Sequence, residues 1–542
     1  MLDPITIQIL RSRFAAVADE MHHHLYRSGY STIVRESHDF SCTIIAADGR
    51  ILVPPRMFLH APVYYHLIRG LLEHYGAEGL EDGDVLVSNH PYEAGMPHVP
   101  DMAVVAPIFF EGRLIAFAGT IAHKADLGGT VPGSTYGRAT EIFQEGLILP
   151  AVKLVNAGKP NLDLQRIIAA NSRQPGLVLG DLGSQVGVTG MGRRRVVELC
   201  EQYGYDAVAD ALTAINEASA AKLRMALKAL PNGVHEASAQ MDGDGVTPDS
   251  PVRLHARVTV EGGAIEFDLT QSDDQRAGPV NLRPAQVEAC CYYTLISLLD
   301  PELQYTDAAR DLVTIRCRPG SVVDSRSPAS VSSYMPTCQR LVDVLLEALG
   351  PFKSSRAIAH SGGTGGAMTI AWQGSTAGKR RHQYEIFGSA YGGLNGQDGT
   401  SGCVVHLSST LITPVEIIET EFPCRVRRFE LVPGSGGAGQ FRGGLGIRRE
   451  YELLEPALVI YRADRSTHAP RGVAGGTDGA PSRFVVEPGT PQEKIHPASL
   501  RLDLSAGAIF RVESAAGGGF GSPSRRDPTA VASDQREGYV AR

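Results

Sequence analysis

The sequence lacks any apolar run approaching the ~18–20 residues that cross a bilayer. Its start, Met1-Leu2-Asp3-Pro4, carries no basic segment leading into an apolar stretch and a small-residue cleavage site. The eight cysteines (Cys42, Cys200, Cys290, Cys291, Cys317, Cys338, Cys403 and Cys424) include no C-x2-C pair, and they are too sparse for a disulfide scaffold. These absences set the expectation of a reducing cytoplasm and no membrane. Basic residues are not in excess: the net charge is −8 and is spread along the chain, which argues against a nucleic-acid surface. There is no fixed-period repeat.

What is present is a foldable, turn-rich chain. Its 542 residues are 43% hydrophobic and 20% charged, enough for several cores, at ~150 residues per domain. Sixty glycines and 33 prolines exclude a helical bundle. Asp3 and Pro4 suit a helix start, and Ile7, Leu10, Phe14, Val17, Met21 and Leu25 recur at helical steps until Ser28-Gly29. His22, His23 and His24 lie inside this helix, about 100° apart, and cannot share one metal. Strand-like runs follow at 42–46 and across 84–120, helical patterns at 161–230, 284–300 and 335–349, and β-branched runs between glycine clusters from about 405. Pro231-Asn232-Gly233 breaks the chain. The fold class is α+β and multidomain: an N-terminal mixed α/β domain with the metal site (1–230), a middle α+β domain (231–405) and a β-rich, Gly-rich C-terminal domain (406–542). The tail after Pro523 reads as irregular.

Gly434-Ser435-Gly436-Gly437-Ala438-Gly439 matches G-x-G-x-x-G, but Gln440-Phe441-Arg442-Gly443-Gly444 cannot begin the helix that a dinucleotide fingerprint requires. The clusters at 362–366 and 517–521 lack the Lys-Ser/Thr of a phosphate loop. Turns and bulges are therefore expected at all three. More informative is the pair His98-Val99-Pro100-Asp101 and His123-Lys124-Ala125-Asp126. Pro97 and Pro100 bar a helix at His98, and two strand-like runs about a turn at Glu111-Gly112-Arg113 form a hairpin that returns His123 and Asp126 beside His98 and Asp101. Two imidazoles with one or two carboxylates suit Zn²⁺, Mn²⁺ or Fe²⁺. Asp39 is a further candidate ligand or a turn residue, and His60 is open in the same way. Glu141 and Glu145, four apart on a helix-like face, supply a general base or a solvated helix end.

Over nearly its whole length the sequence resembles the hydantoinase B/oxoprolinase family. The resemblance rests on the Asp3-Pro4 helix, the segments 35–41 and 89–92, His98-Val99-Pro100-Asp101, the segment 122–129 and Glu141 to Gly146. Further on it rests on Gly180-Asp181-Leu182, Asp398-Gly399, Pro414-Val415-Glu416, the 435–446 cluster and 517–521. It implies a divalent metal held by His98, Asp101 and His123, with Asp39 added if the site is binuclear. It also implies a partner of hydantoinase A type that binds ATP and phosphorylates a cyclic amide, a hetero-oligomer, and no nucleotide bound by this chain. Three departures bear on pocket shape: the loop before His98 is one residue longer, His90 stands where Asp is commoner, and Lys124 replaces a frequent second His. On this resemblance the chain opens a lactam, hydantoin or oxoproline-like ring, with Asp126 orienting His123 and Glu145 or Glu141 relaying a proton. The alternatives are a ketone carboxylase subunit, a scaffold with a dead site, and hydrolysis without ATP.

Overall fold

The computed structural model describes residues 3–540 apart from 248, 364, 365, 373 and 375–379. The first helix is Pro4–Ser28, capped by the Asp3 carboxylate, which accepts from the N–H groups of Ile5 and Thr6. Its apolar stripe (Leu10, Phe14, Val17, Met21 and Leu25) packs on one face of a six-stranded sheet, together with the helices Pro175–Tyr203 and Tyr205–Lys228. His22 belongs to that stripe and is buried.

The sheet comprises β1 (Phe40–Ala46), β2 (Val85–Ser88), β3 (Asp101–Phe110), β4 (Arg113–His123), β5 (Val152–Asn156) and β6 (Lys159–Pro160), in the order β1-β4-β3-β2-β5-β6. Its pairs are all antiparallel. Its other face meets the helix Ala61–Tyr75 through Tyr64, Leu67, Ile68 and Leu71. With helices on both faces, β3 and β4 read as near-continuous apolar runs rather than as alternation. The same core continues into a second sheet, β7 (Gly233–Met241), β8 (Val252–Glu261), β9 (Ala264–Asp268) and β10 (Val313–Arg316), and into the helices Pro284–Leu299 and Tyr334–Leu349.

A β-sandwich completes the fold. One sheet holds Arg381–Ile386, Ala367–Trp372, Ala457–Arg462 and Ser499–Leu504; the facing sheet holds Cys424–Leu431, Ile447–Leu453, Ile509–Glu513, Arg483–Val486 and Lys494–His496. Trp372, Tyr461 and Leu500 pack against Tyr451, Phe484 and Phe510 between them. Strands on both sides of residue 405 thus share one sheet, because Ala367–Trp372 pairs with Ala457–Arg462. Among the described residues no helix is long and apolar enough to cross a membrane.

The glycine clusters pack against one another. Segments 436–444, 472–479 and 517–521 exchange backbone hydrogen bonds: Gly437 N–H donates to Gly517 O, Gly517 N–H to Gly444 O, and Gly519 N–H to Thr477 O, each at 2.9 Å. The backbones lie so close that a Cβ on Gly443 would stand 2.0 Å from Gly517 O. Residues 364 and 365 of the 362–366 cluster lie outside the described residues. The tail differs from expectation: Pro528–Arg536 is a helix, docked where Arg526 bridges Asp398 and the buried Asp534.

Candidate active site

Three neighbouring strands bring their ends together. Asp101 opens β3, His123 closes β4, and the two are register partners. Asp39 precedes β1, whose Phe40 pairs with Ala122, and its carbonyl accepts the His123 N–H at 3.1 Å. The hairpin turns at Glu111 (φ 51°) and Gly112 (φ 74°), the two left-handed residues of a tight primed turn that matches strand twist. His98 lies in the turn before β3: Asp101 N–H donates to His98 O at 3.2 Å, and Lys124 N–H donates to Pro100 O at 2.9 Å. His98 Nε2 stands 3.3 Å from Asp101 Oδ2, and the His98 and His123 rings are 5.1 Å apart.

His98, Asp101 and His123 are each 2% exposed. The His98 Nδ1 atom lies 3.3 Å from Ser332 O, an oxygen that only accepts, so Nδ1 carries a proton and donates it there. Among the described residues, His98 Nε2, Asp101 Oδ2, both ring nitrogens of His123 and His60 Nε2 have no hydrogen-bond partner. Each such buried atom costs about 1–3 kcal/mol unless something satisfies it. Burial raises the Asp101 carboxyl, but the adjacent His98 together with the charges of His60 and His123 outweighs it and holds the pKa at about 2. Burial, and then the charge of Asp101, drive Asp39 well above the usual carboxylate range. Burial and the charge of His98 depress His123 to about 3, and burial depresses His60 to about 4. At neutral pH Asp101 is therefore a carboxylate beside the neutral imidazoles of His123 and His60. Among the described residues no three His, Cys, Asp or Glu side chains form a ready-made cage for an ion. The unsatisfied imidazole lone pairs and the carboxylate are nevertheless the donor set that a divalent transition metal takes.

Later parts of the chain close the site. Tyr384 stacks on His123 at 4.7 Å, and Tyr334 meets His98 edge-on at 4.9 Å. With Asp39, Gln339 and Arg462 they line a cavity of about 40 Å³, room for a few waters. Pro336 and Arg462 also line a more open cavity of about 450 Å³, so they form the partition between the two. Arg462 Nη1 is held by Ser332 O and by Ser333 Oγ. Tyr334, Gln339, Tyr384 and Arg462 carried no signal in the sequence. They reach the site from the helix Tyr334–Leu349 and the sandwich, with no periodicity linking them to His98.

The remaining candidates are dispersed. Asp126 does not orient His123: its carboxylate accepts from the N–H groups of Gly128, Gly133 and Arg173, each at 2.9 Å, and pairs with the Arg173 guanidinium. The chain leaves the sheet after His123 and turns away through Gly128 and Gly129, both at positive φ. Glu141 and Glu145 do not share a helix face, since only Ile142–Gln144 is helical and as a 3-10 turn. Glu145 is buried, and its Oε1 accepts from Ser330 Oγ (2.7 Å) and Val331 N–H (2.8 Å), fastening that loop beside the one that carries His98. Burial raises its pKa. Glu141 is only part-buried and takes no place in the cluster. Lys124, one residue past His123, faces the opposite side of the sheet, where Gln185 of the helix Pro175–Tyr203 accepts its ammonium.

A family model described as hydantoinase B/oxoprolinase matches residues 3–523, and the chain belongs to that family. The B component of a putative D-/L-hydantoinase from Pseudomonas sp. (strain NS671) is 30% identical over 562 residues, spanning 100% of this chain and 94% of that one. The crystal structure of the ATP-dependent caprolactamase from Pseudomonas jessenii superposes with a TM-score of 0.93 at 24% identity, covering 100% of this chain and 95% of its own. A nucleotide-free acetone carboxylase structure gives 0.89 at 19% identity, over 99% and 78%. The two structures establish a shared fold.

Proposed function

We propose that this chain is the metal-dependent hydrolytic subunit of an ATP-dependent cyclic amidohydrolase. It opens a lactam, hydantoin or oxoproline-like ring after an ATP-binding partner of hydantoinase A type has phosphorylated that ring. The observation that carries this reading is the set of unsatisfied buried atoms on His98, Asp101 and His123, gathered at adjacent strand ends. The full-length likeness to a hydantoinase component supports the substrate class.

In this reading His98, Asp101 and His123 would hold a divalent Zn, Mn or Fe ion, with Asp39 added if the site is binuclear. Such an ion supplies a Lewis acid and lowers the pKa of water toward neutrality. The protein's own part is positional. Ser332 O sets the His98 tautomer, Tyr334 and Tyr384 brace the imidazoles, and burial excludes bulk solvent. An amide resists attack because resonance stiffens its C–N bond. Phosphorylation of the oxygen by the partner removes that resonance. Water would then add to the ring carbon, the ring C–N bond would break with nitrogen leaving as the amine, and phosphate would depart when a second water hydrolyses the resulting acyl phosphate. Arg462, at the cavity wall, places a positive charge beside the developing anion.

The test is elemental analysis of chain purified without chelators, beside His98→Ala and Asp101→Ala, followed by assay with the partner and ATP. One or two metal equivalents, lost in both variants, with ATP-dependent ring opening, support the reading. A chain that takes up no metal even after reconstitution leaves only a scaffold. Turnover that requires bicarbonate makes it a carboxylase subunit.

A further inference from the structure

Among the described residues five arginines are buried, and four of them have a carboxylate. Arg340 pairs with Asp464 at 2.7 Å, Arg442 with Asp534 at 3.4 Å, Arg449 with Glu385 and Arg465 with Asp343. The fifth, Arg462, is 6% exposed and makes no ion pair among the described residues; its Nη1 donates to two uncharged acceptors, Ser332 O and Ser333 Oγ. Burying a cation without a counter-charge is costly. A second unpaired cation stands beside it, since Arg138 lines the open cavity, is exposed, and makes no ion pair among the described residues. The Arg138 segment is fastened around Arg462. Tyr136 N–H donates to Ser332 Oγ at 3.1 Å, and Gly137 O accepts at 3.2 Å from Ser499 Oγ, whose residue is the register partner of Arg462. A Cβ on Gly137 would lie 3.2 Å from Arg462 Cβ. The carboxylates on the same wall are already committed: Asp242 and Asp244 each accept three backbone N–H groups, and Asp464 holds the Arg340 guanidinium. The uncommitted charge of the open cavity is therefore positive.

We propose that Arg462 and Arg138 grip the phosphoryl group of the activated ring, and so select the O-phosphorylated ring over the free one. This rests on the amidohydrolase reading and deepens it. The small cavity of about 40 Å³ has room for a few waters, not for a ring or a phosphoryl group, whereas the open cavity of about 450 Å³ admits both. Arg462 lines the two cavities, so a phosphoryl group held there brings its ring to the partition, with His98 and His123 lining the far side. A guanidinium is a planar fork of donors that matches phosphate oxygens, and two arginines match the charge of a phosphate monoester. Because phosphate departs last, the same grip holds the substrate from its arrival through ring opening. A ring without the phosphoryl group leaves both cations stranded, and that is the source of the selection.

The experiment uses the full-length, metal-loaded chain and three probes: phenyl phosphate, phenol (the same ring without the phosphoryl group) and inorganic phosphate. Affinities are read by ligand-observed NMR titration for the natural chain, Arg462→Gln and Arg138→Gln, with thermal unfolding and bound metal measured on the same samples. The natural chain is expected to favour phenyl phosphate over phenol at least about tenfold, and to bind inorganic phosphate more weakly than phenyl phosphate. In Arg462→Gln the preference over phenol falls to about twofold or less. In Arg138→Gln, at an exposed charge, it falls about threefold, and phenol affinity holds in both. An unchanged preference in either variant overturns the inference, because the phosphoryl group is then held elsewhere, the metal included. So does a natural chain that binds phenol as tightly as phenyl phosphate, binds neither, or binds inorganic phosphate as tightly as the ring that carries it. Should Arg462→Gln not fold or not take up metal, Arg138→Gln decides, since that exposed side chain makes no ion pair whose loss would unfold the chain. A metal-loaded chain that ignores the phosphoryl group sinks only this inference. A chain that grips it yet takes up no metal keeps the anion site and sinks the amidohydrolase reading.

Discussion

Asp101 lies directly across the β3–β4 ladder from His123, as the first pair of one strand and the last of the other. The side chains of such a pair fall on the same face of the sheet, so a carboxylate and an imidazole meet where the hairpin ends. The next residue on the β4 side, Lys124, faces the opposite way. A slip of one residue would present Lys124 to the cavity in place of His123. The register of one hairpin therefore decides whether the cluster exists.

The two buried carboxylates Asp101 and Asp126 are expected to separate experimentally. Asp126→Asn breaks the ion pair with Arg173 and weakens the bracket around 126–133, at a cost of about 2–3 kcal/mol. Metal stoichiometry is expected to stay at the natural value. Asp101→Asn is expected to do the reverse, losing metal with a smaller change in unfolding temperature. Thermal denaturation beside elemental analysis reads both; metal loss in Asp126→Asn at unchanged stability would contradict the placement.

Gly517→Ala is expected to unfold the sandwich region or lower stability by more than about 3 kcal/mol, since the new Cβ would stand 2.0 Å from Tyr391 O. Gly112→Ala at the exposed hairpin turn meets nothing within 4 Å, so it pays only the backbone strain of φ 74°, about 1 kcal/mol. Denaturant unfolding of the two variants measures the contrast. A Gly517→Ala chain as stable as Gly112→Ala would refute close packing of the glycine segments.

Acid is expected to loosen the first helix through His22. Burial, and then the charge of Arg56, depress its pKa from 6.5 to about 4. A histidine depressed in the folded state contributes stability that is complete above the unfolded value and is lost as pH falls toward the folded one. Stability should therefore decline between pH 6.5 and about 4. His22→Phe, a similar shape that does not titrate, should flatten part of that decline when melting temperatures at pH 7 and pH 5 are compared. An unchanged difference would locate the acid sensitivity elsewhere.

What the sequence determined by itself was local. The first helix, with its Asp3 cap, followed from a 3.6-residue periodicity, and the hairpin from two strand-length runs about Glu111-Gly112. That hairpin carried Asp101 and His123 into one place, because turn geometry and a two-residue period act within some twenty residues of chain. His98 followed from the prolines beside it. The family was legible for the same reason, in short segments of fixed order. Only the tertiary structure decided the rest. It separated Asp126 from His123, made Glu145 a fastening for the 330–331 loop, and buried the glycine clusters against one another. It also delivered Tyr334, Gln339, Tyr384 and Arg462 to the site. His98 and the Ser332 carbonyl that sets its tautomer are 234 residues apart. Contacts at that separation are selected by how whole sheets and helices pack, and such packing leaves no period in the chain.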